Sequence, residues 1–123
     1  MARLLAAAGS APVAGEVALA RSFWSRLVGL LGRAGLAPQA GLVFERCRAV
    51  HTVGMRFPID VVFVDRAWRI VHLRSQVPPG RLVGPVRKAW GVVELAPGTI
   101  SRTGLWEGDQ LRLEEAGVGC RAT

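Results

Sequence analysis

Short apolar runs alternate with turn-forming residues along most of this chain, and their length is that of β-strands. Val61-Val62-Phe63-Val64, between Asp60 and Asp65, is β-branched and aromatic and predicts a buried strand over 60–65. Asp65-Arg66-Ala67 predicts a tight turn, after which 68–74 runs back as the antiparallel partner. Further apolar strands are expected at 41–44 and 89–95, the second ended by Pro97-Gly98. Between them, Pro78-Pro79-Gly80 opens a loop that continues through Gly84-Pro85. In 110–114, Leu111 and Leu113 alternate with Gln110, Arg112 and Glu114, the mark of a strand with one wet face. A first strand is expected at 16–20.

One segment has helical spacing instead. Ser22 can cap a short helix on which Phe23, Trp24, Leu27, Val28, Leu30 and Leu31 share a face, with Gly32 or Gly35 to end it. Its arginines, Arg21, Arg26 and Arg33, fall outside that apolar set, and the stripe is expected to pack on the sheet rather than on a membrane. The resulting fold class is mainly β (α+β), a single antiparallel domain with one short N-terminal amphipathic helix. Its sheet should be curled or barrel-like, because closure protects strand edges. At 123 residues the chain has the length of one domain. It divides into a flexible segment at 1–15, a domain at 16–115 and a flexible tail at 116–123. Met1 to Ala8 imitates the start of a signal peptide, but Gly9, Ser10, Pro12 and Gly15 break the run, so a cytoplasmic location is expected. No apolar run reaches the ~18 residues of a membrane span.

Charge changes the picture more than composition does. Sixteen basic residues against nine acidic ones give a net charge of +7, and Lys88 is the only lysine. That arginine bias is of the kind a GC-rich genome imposes. Between Arg66 and Val93, however, Arg66, Arg69, Arg74, Arg81, Arg87 and Lys88 occur with no acid among them. Such a stretch attracts anions, nucleic acid included, unless it is only a solvated strand face and loop. Trp68 and Trp90 lie near it and are of the type that stacks on bases, although no interleaved aromatic–basic platform is visible.

Candidate chemistry gathers where the chain approaches the strand at 60–65. Cys47, His51 and Met55 are spaced four and four, but Val50, Thr52, Val53, Gly54 and Pro58 argue against a helix that would align them. Extended, four residues span ~13 Å, whereas metal ligands must lie within roughly 4 Å of one another. No metal site is therefore expected unless the chain folds back at Gly54. The same distance separates Cys47 and His51 as a nucleophile pair. Cys47 and Cys120, 73 positions apart and without a partner motif, make no disulfide framework. His72 falls mid-strand and reads as structural. Asp60 and Glu94 are more curious, since a carboxylate in an apolar run must find a partner or neutralise. Two such groups can form an acid/base pair, but the abundant arginines make buried ion pairs the plainer expectation. Asp109, after Gly108, reads as a turn residue. No phosphate loop, dinucleotide fingerprint or paired Cys-x-x-Cys is present, and no cofactor is expected.

With these residues in place, the chain resembles the family known as domain of unknown function 192. The resemblance runs through Arg26-Leu27-Val28-Gly29-Leu30-Leu31-Gly32-Arg33, Gly41-Leu42-Val43-Phe44 and Val50-His51-Thr52-Val53-Gly54-Met55. It continues through Pro58-Ile59-Asp60-Val61-Val62-Phe63-Val64-Asp65, Val93-Glu94-Leu95-Ala96-Pro97-Gly98 and Gly108-Asp109. It departs from the family where a glycine is usual after Asp65, since Ala67-Trp68 stands there, and family members often look exported. The resemblance implies a β-rich fold with a short helix and brings no catalytic residue or cofactor with it.

Three functions remain on these grounds. The first is a non-enzymatic binding or accessory module whose loop at 76–88, with His51, Arg74, Arg81 and Arg87, forms a face for an anionic ligand or protein partner. The second is a hydrolase-like or metal-assisted enzyme using His51, Asp60 and Glu94, which requires the three to converge. The third is a nucleic-acid-binding protein.

Overall fold

The structure is a computed structural model that describes residues 2–6, 11–19 and 40–115, with side chains from 41 to 112. The helix expected around Ser22 to Leu31 and the tail carrying Cys120 lie outside the described residues. Among these residues, nine strands and one short helix follow in order: β1 (Ala2–Ala6), β2 (Ala11–Leu19), β3 (Ala40–Glu45), β4 (Val50–His51), β5 (Ile59–Val64), β6 (Ile70–Val77), β7 (Leu82–Val83), β8 (Gly91–Leu95), α1 (Thr99–Thr103) and β9 (Leu111–Glu115). Seven of the strands form one sheet in the order β6-β5-β8-β3-β2-β1-β9, while β4 and β7 pair separately. Neighbours are antiparallel apart from β2 and β3, which run parallel. The fold is therefore mainly β.

β5 and β8 occupy the middle of the described core, and all their residues are buried. Burial on both faces explains why they read as unbroken apolar runs rather than alternating ones. On one face Val62, Val64, Val93, Leu95 and Val43 pack with Ile70, Leu111 and with Ile100 of α1. On the other, Ile59, Val61, Phe63, Val92, Leu42 and Phe44 are covered by Val50, Met55, Phe57, Val83 and Ala89 from the chain around β4 and β7.

Three expectations need correction. The first strand is not at 16–20 alone: β1 and most of β2 lie within 1–15, the segment expected to precede the domain. Helix α1 follows Pro97-Gly98 where only a turn was expected, because five residues are too few to show a helical period. The sheet curls until its edges touch through the bridge between Arg69 and Gln110, with Leu111 N–H donating to the Trp68 carbonyl at 2.9 Å. Among the described residues this contact does not close a barrel. A register shift leaves Val71 unmatched against β5, and such a bulge bends a strand locally. The edge pairing does not continue past it.

Candidate functional site

The two buried carboxylates sit on adjacent strands and face opposite ways. Asp60 is directly across from Leu95, and Val61 across from Glu94. Residues paired across strands share a face and successive residues alternate, so Asp60 and Glu94 project from opposite faces of the sheet. Asp60 is fully buried. Its Oδ1 accepts the backbone N–H of Gln76 at 2.8 Å and of Gly98 at 3.2 Å, and its Oδ2 accepts that of Ile100 at 2.7 Å. One carboxylate thus ties the β6 bend, where Gln76 holds φ 49, to the start of α1. Glu94 is 4% exposed, between Leu42 of β3 and Val61 of β5. Among the described residues its carboxyl has no hydrogen bond or ion pair. Burial pushes it from an ordinary 4.5 up to about 7. Among the described residues, neither carboxylate has the arginine partner expected for it.

The remaining candidates do not join them. His51 is exposed on β4, opposite Leu82, and no side-chain hydrogen bond holds it among the described residues. Its neighbour Thr52 does the structural work. Its buried hydroxyl donates to the Pro78 carbonyl at 2.7 Å and accepts the Arg81 N–H at 2.8 Å. That fixes the exposed Arg81 beside β4. The chain does turn at Val53-Gly54, with Met55 N–H donating to the Thr52 carbonyl at 3.1 Å, but Met55 is buried in the core. Cys47 donates from Sγ to the Ala49 carbonyl at 3.0 Å. Among the described residues no three His, Cys, Asp or Glu side chains gather as metal ligands. His72 lies 5.8 Å from the Phe63 ring and 3.6 Å from Glu107. Arg74 is exposed on β6, across from Val61. His51, Asp60 and Glu94 do not converge: one faces solvent, and the others are sealed on opposite faces of the sheet.

What the fold does assemble is a basic cleft at one end of that sheet. Three chain segments meet there: the exit from β3, the β5–β6 turn and the approach to β8. Cys47 N–H donates to the Trp90 carbonyl at 2.9 Å, Trp90 N–H to the Val64 carbonyl at 2.7 Å, and Val86 N–H to the Arg48 carbonyl at 2.8 Å. Gly84 allows the last approach, because at φ 96 a Cβ there would stand 2.6 Å from the Arg48 carbonyl oxygen. The cleft encloses about 640 Å³ and is lined by Arg46, Arg48, Arg66, Arg87, Lys88, Asp65, Ala67, Ala89 and Trp90. Five cations therefore face one carboxylate. That carboxylate is committed, since Asp65 Oδ1 accepts the N–H groups of Ala67 and Arg69 at 2.9 and 3.0 Å. None of the five cations has an ion pair among the described residues. Of the binding residues expected from sequence, Arg87 lines the cleft, while His51 and Arg81 lie beyond it on the β4–β7 pair. Arg66 and Lys88 belong to the acid-free stretch and were legible there. Arg46 and Arg48 lie outside it and are brought in by the pairing of β3 with β8.

A family model for domain of unknown function 192 (DUF192), described as an uncharacterized ACR, matches residues 4–113. The chain belongs to the DUF192 family. None of the curated proteins matches it. Among solved structures, it is similar to a candidate transcription regulator from Sinorhizobium meliloti 1021, with a TM-score of 0.70 and 27% identity over 90% of each chain. It also resembles a protein of unknown function from Novosphingobium aromaticivorans DSM 12444, with a TM-score of 0.73 and 19% identity over 90% of this chain and 82% of that one. At that identity the second likeness is one of fold. No helix among the described residues is long and apolar enough to cross a membrane.

The turn after Asp65 carries Ala67-Trp68. Trp68 takes φ 65, the left-handed conformation that glycine adopts without cost. Its indole meets that of Trp90 edge-on, with centroids 6.4 Å apart at 69°. Arg46, on the cleft wall, also holds a positive φ of 55. Of the three non-glycine residues with positive φ among those described, Arg46 lines the cleft, Trp68 adjoins Ala67 and Trp90 in its wall, and Gln76 lies away from it on β6.

Proposed function

We propose that this DUF192 protein is a non-enzymatic binding module that takes an anionic group of a ligand or partner in the cleft lined by Arg46, Arg48, Arg66, Arg87 and Lys88. The observation that carries this reading is that, among the described residues, those five cations have no ion pair and surround a single carboxylate, Asp65, whose Oδ1 already accepts two backbone N–H groups. Like charges crowded into a cleft repel one another, and a bound anion relieves that repulsion while the low-dielectric walls focus the field. The exposed His51 and Arg81, at the β4–β7 pair, would add to the attraction from outside the cleft. Arg74, on the edge strand, adds long-range attraction. The description of the Sinorhizobium meliloti relative as a candidate transcription regulator agrees with a binding role rather than a catalytic one. The separation of His51, Asp60 and Glu94 speaks in the same direction.

Heparin retention tests the reading. Arg46→Glu with Arg87→Glu should elute at clearly lower salt than Arg56→Glu with Arg102→Glu, a pair of exposed arginines outside the cleft that alters net charge equally. Elution of both double variants at the same salt would mean that only total charge matters, and the cleft reading would fail.

A further inference from the structure

We infer that the anion received by the cleft is the backbone of a single-stranded nucleic acid, with a base stacked on Trp90; this rests on the anion-binding reading above. The cleft combines two features that sequence kept apart. Its cations come from three segments: Arg46 and Arg48, Arg66, and Arg87 with Lys88. Trp90 lines the same space, is half-buried, and its ring packs edge-on against that of Trp68. Cations alone would suit any polyanion. In the inferred complex the ring of Trp90, packed against Trp68, supplies what a sulfated sugar or polyphosphate does not use, an apolar surface for a base. Basic grooves with aromatic platforms are the recurrent means of holding single strands without reading sequence. Duplex DNA hides its base faces in the stack and would leave Trp90 without a partner. A lone nucleotide would engage the indole but leave most of the five cations unused, whereas a strand presents successive phosphates to all three segments. The arginine guanidinium adds bidentate phosphate contacts that the single lysine does not.

Fluorescence anisotropy with a labelled oligo-deoxythymidine of about 20 nucleotides separates these contributions. For the wild-type chain, affinity should fall steeply with salt. In Arg46→Ala with Arg87→Ala, the slope of log affinity against log salt should shrink by about 0.7 for each phosphate contact removed. Trp90→Leu should weaken binding by roughly 5- to 150-fold, the loss expected for one stacked base, and leave the salt slope unchanged. If Trp90→Leu does not fold, Trp90→Phe serves: it should keep binding but lose the quenching of indole emission that the oligonucleotide causes in the wild type. Unchanged affinity in Trp90→Leu, or unchanged quenching in Trp90→Phe, would overturn the stacking inference. So would a preference for the duplex, or equal affinity for a mononucleotide. Heparin retention that depends on Arg46 and Arg87, with no binding of the oligonucleotide, would refute the nucleic-acid inference and leave the anion-binding reading standing. Loss of neither property in the arginine variants would refute both.

Discussion

Asp60 and Glu94 are both carboxylates, both sealed in the same sheet and separated by one strand pairing, yet they have solved the problem of burial in opposite ways. Asp60 accepts hydrogen bonds from the backbone N–H groups of Gln76, Gly98 and Ile100. Hydrogen bonds from three amides replace its water, and in return it satisfies donors at a strand bend and at the first turn of α1 that would otherwise be orphaned. Glu94 has no such partners among the described residues and sits between Leu42 and Val61. Burial disfavours its charged form and pushes its carboxyl up to about 7, so it keeps its proton at pH values below that. The difference lies in what each sheet face presents. Asp60 projects toward the side where a chain bend and a helix start expose amides. Among the described residues, Glu94 projects toward apolar side chains of the other face.

The largest effect should come from Asp60→Ala, which leaves buried donors without acceptors. A loss of about 4 kcal/mol is expected in urea unfolding, enough to threaten folding of a domain this size. A loss below about 1 kcal/mol would show that the amides find other acceptors and that the contrast with Glu94 is overstated. Glu94 comes next and acts through pH. Its carboxyl titrates near 4.5 when unfolded and near 7 when folded. Between those values the folded chain binds more protons than the unfolded one, so stability is greatest below 4.5 and falls as pH rises to 7. The total fall is about 3 kcal/mol for this group. Glu94→Gln should abolish that portion and be more stable than the wild type above neutrality. Parallel stability–pH curves for the two proteins would break the comparison. The smallest effect is set by Thr52, a buried polar group that is satisfied but uncharged. Thr52→Val should cost about 2 kcal/mol with no pH dependence of its own. A cost equal to that of Asp60→Ala would mean that charge adds nothing to the value of a satisfied buried acceptor.

Much of this was legible in the residues. The apolar runs around Leu42, Val62 and Val93 located three adjacent strands, because burial on both faces removes polar residues from every position. The same logic singled out Asp60 and Glu94 as exceptions. What was not legible was their partnership. Arginine is abundant along the chain, but the backbone amides that hold Asp60 come from residues 16 and about 40 positions away in sequence, and no pattern marks an amide as free. Helix α1 escaped notice for a related reason: it is short, and Asp60 at its N-terminal end anchors it from another strand. The basic cleft was half visible. Arg66, Arg87 and Lys88 belong to a stretch without acids, whereas Arg46 and Arg48 flank Cys47 in a segment that showed no such bias.

By itself, the sequence determined that this is a β-rich DUF192 domain with an apolar central strand, two carboxylates in need of an explanation and an excess of arginine. Those properties follow from local composition and from a period of two, which act within a few residues. Tertiary structure alone decided that the carboxylates face apart, that His51 joins neither, and that five cations and an indole share one cleft. Each of these depends on which strands pair and in what register. A one-residue slip in register exchanges the two faces of a strand, so facing is a property of the assembled sheet and not of any segment within it.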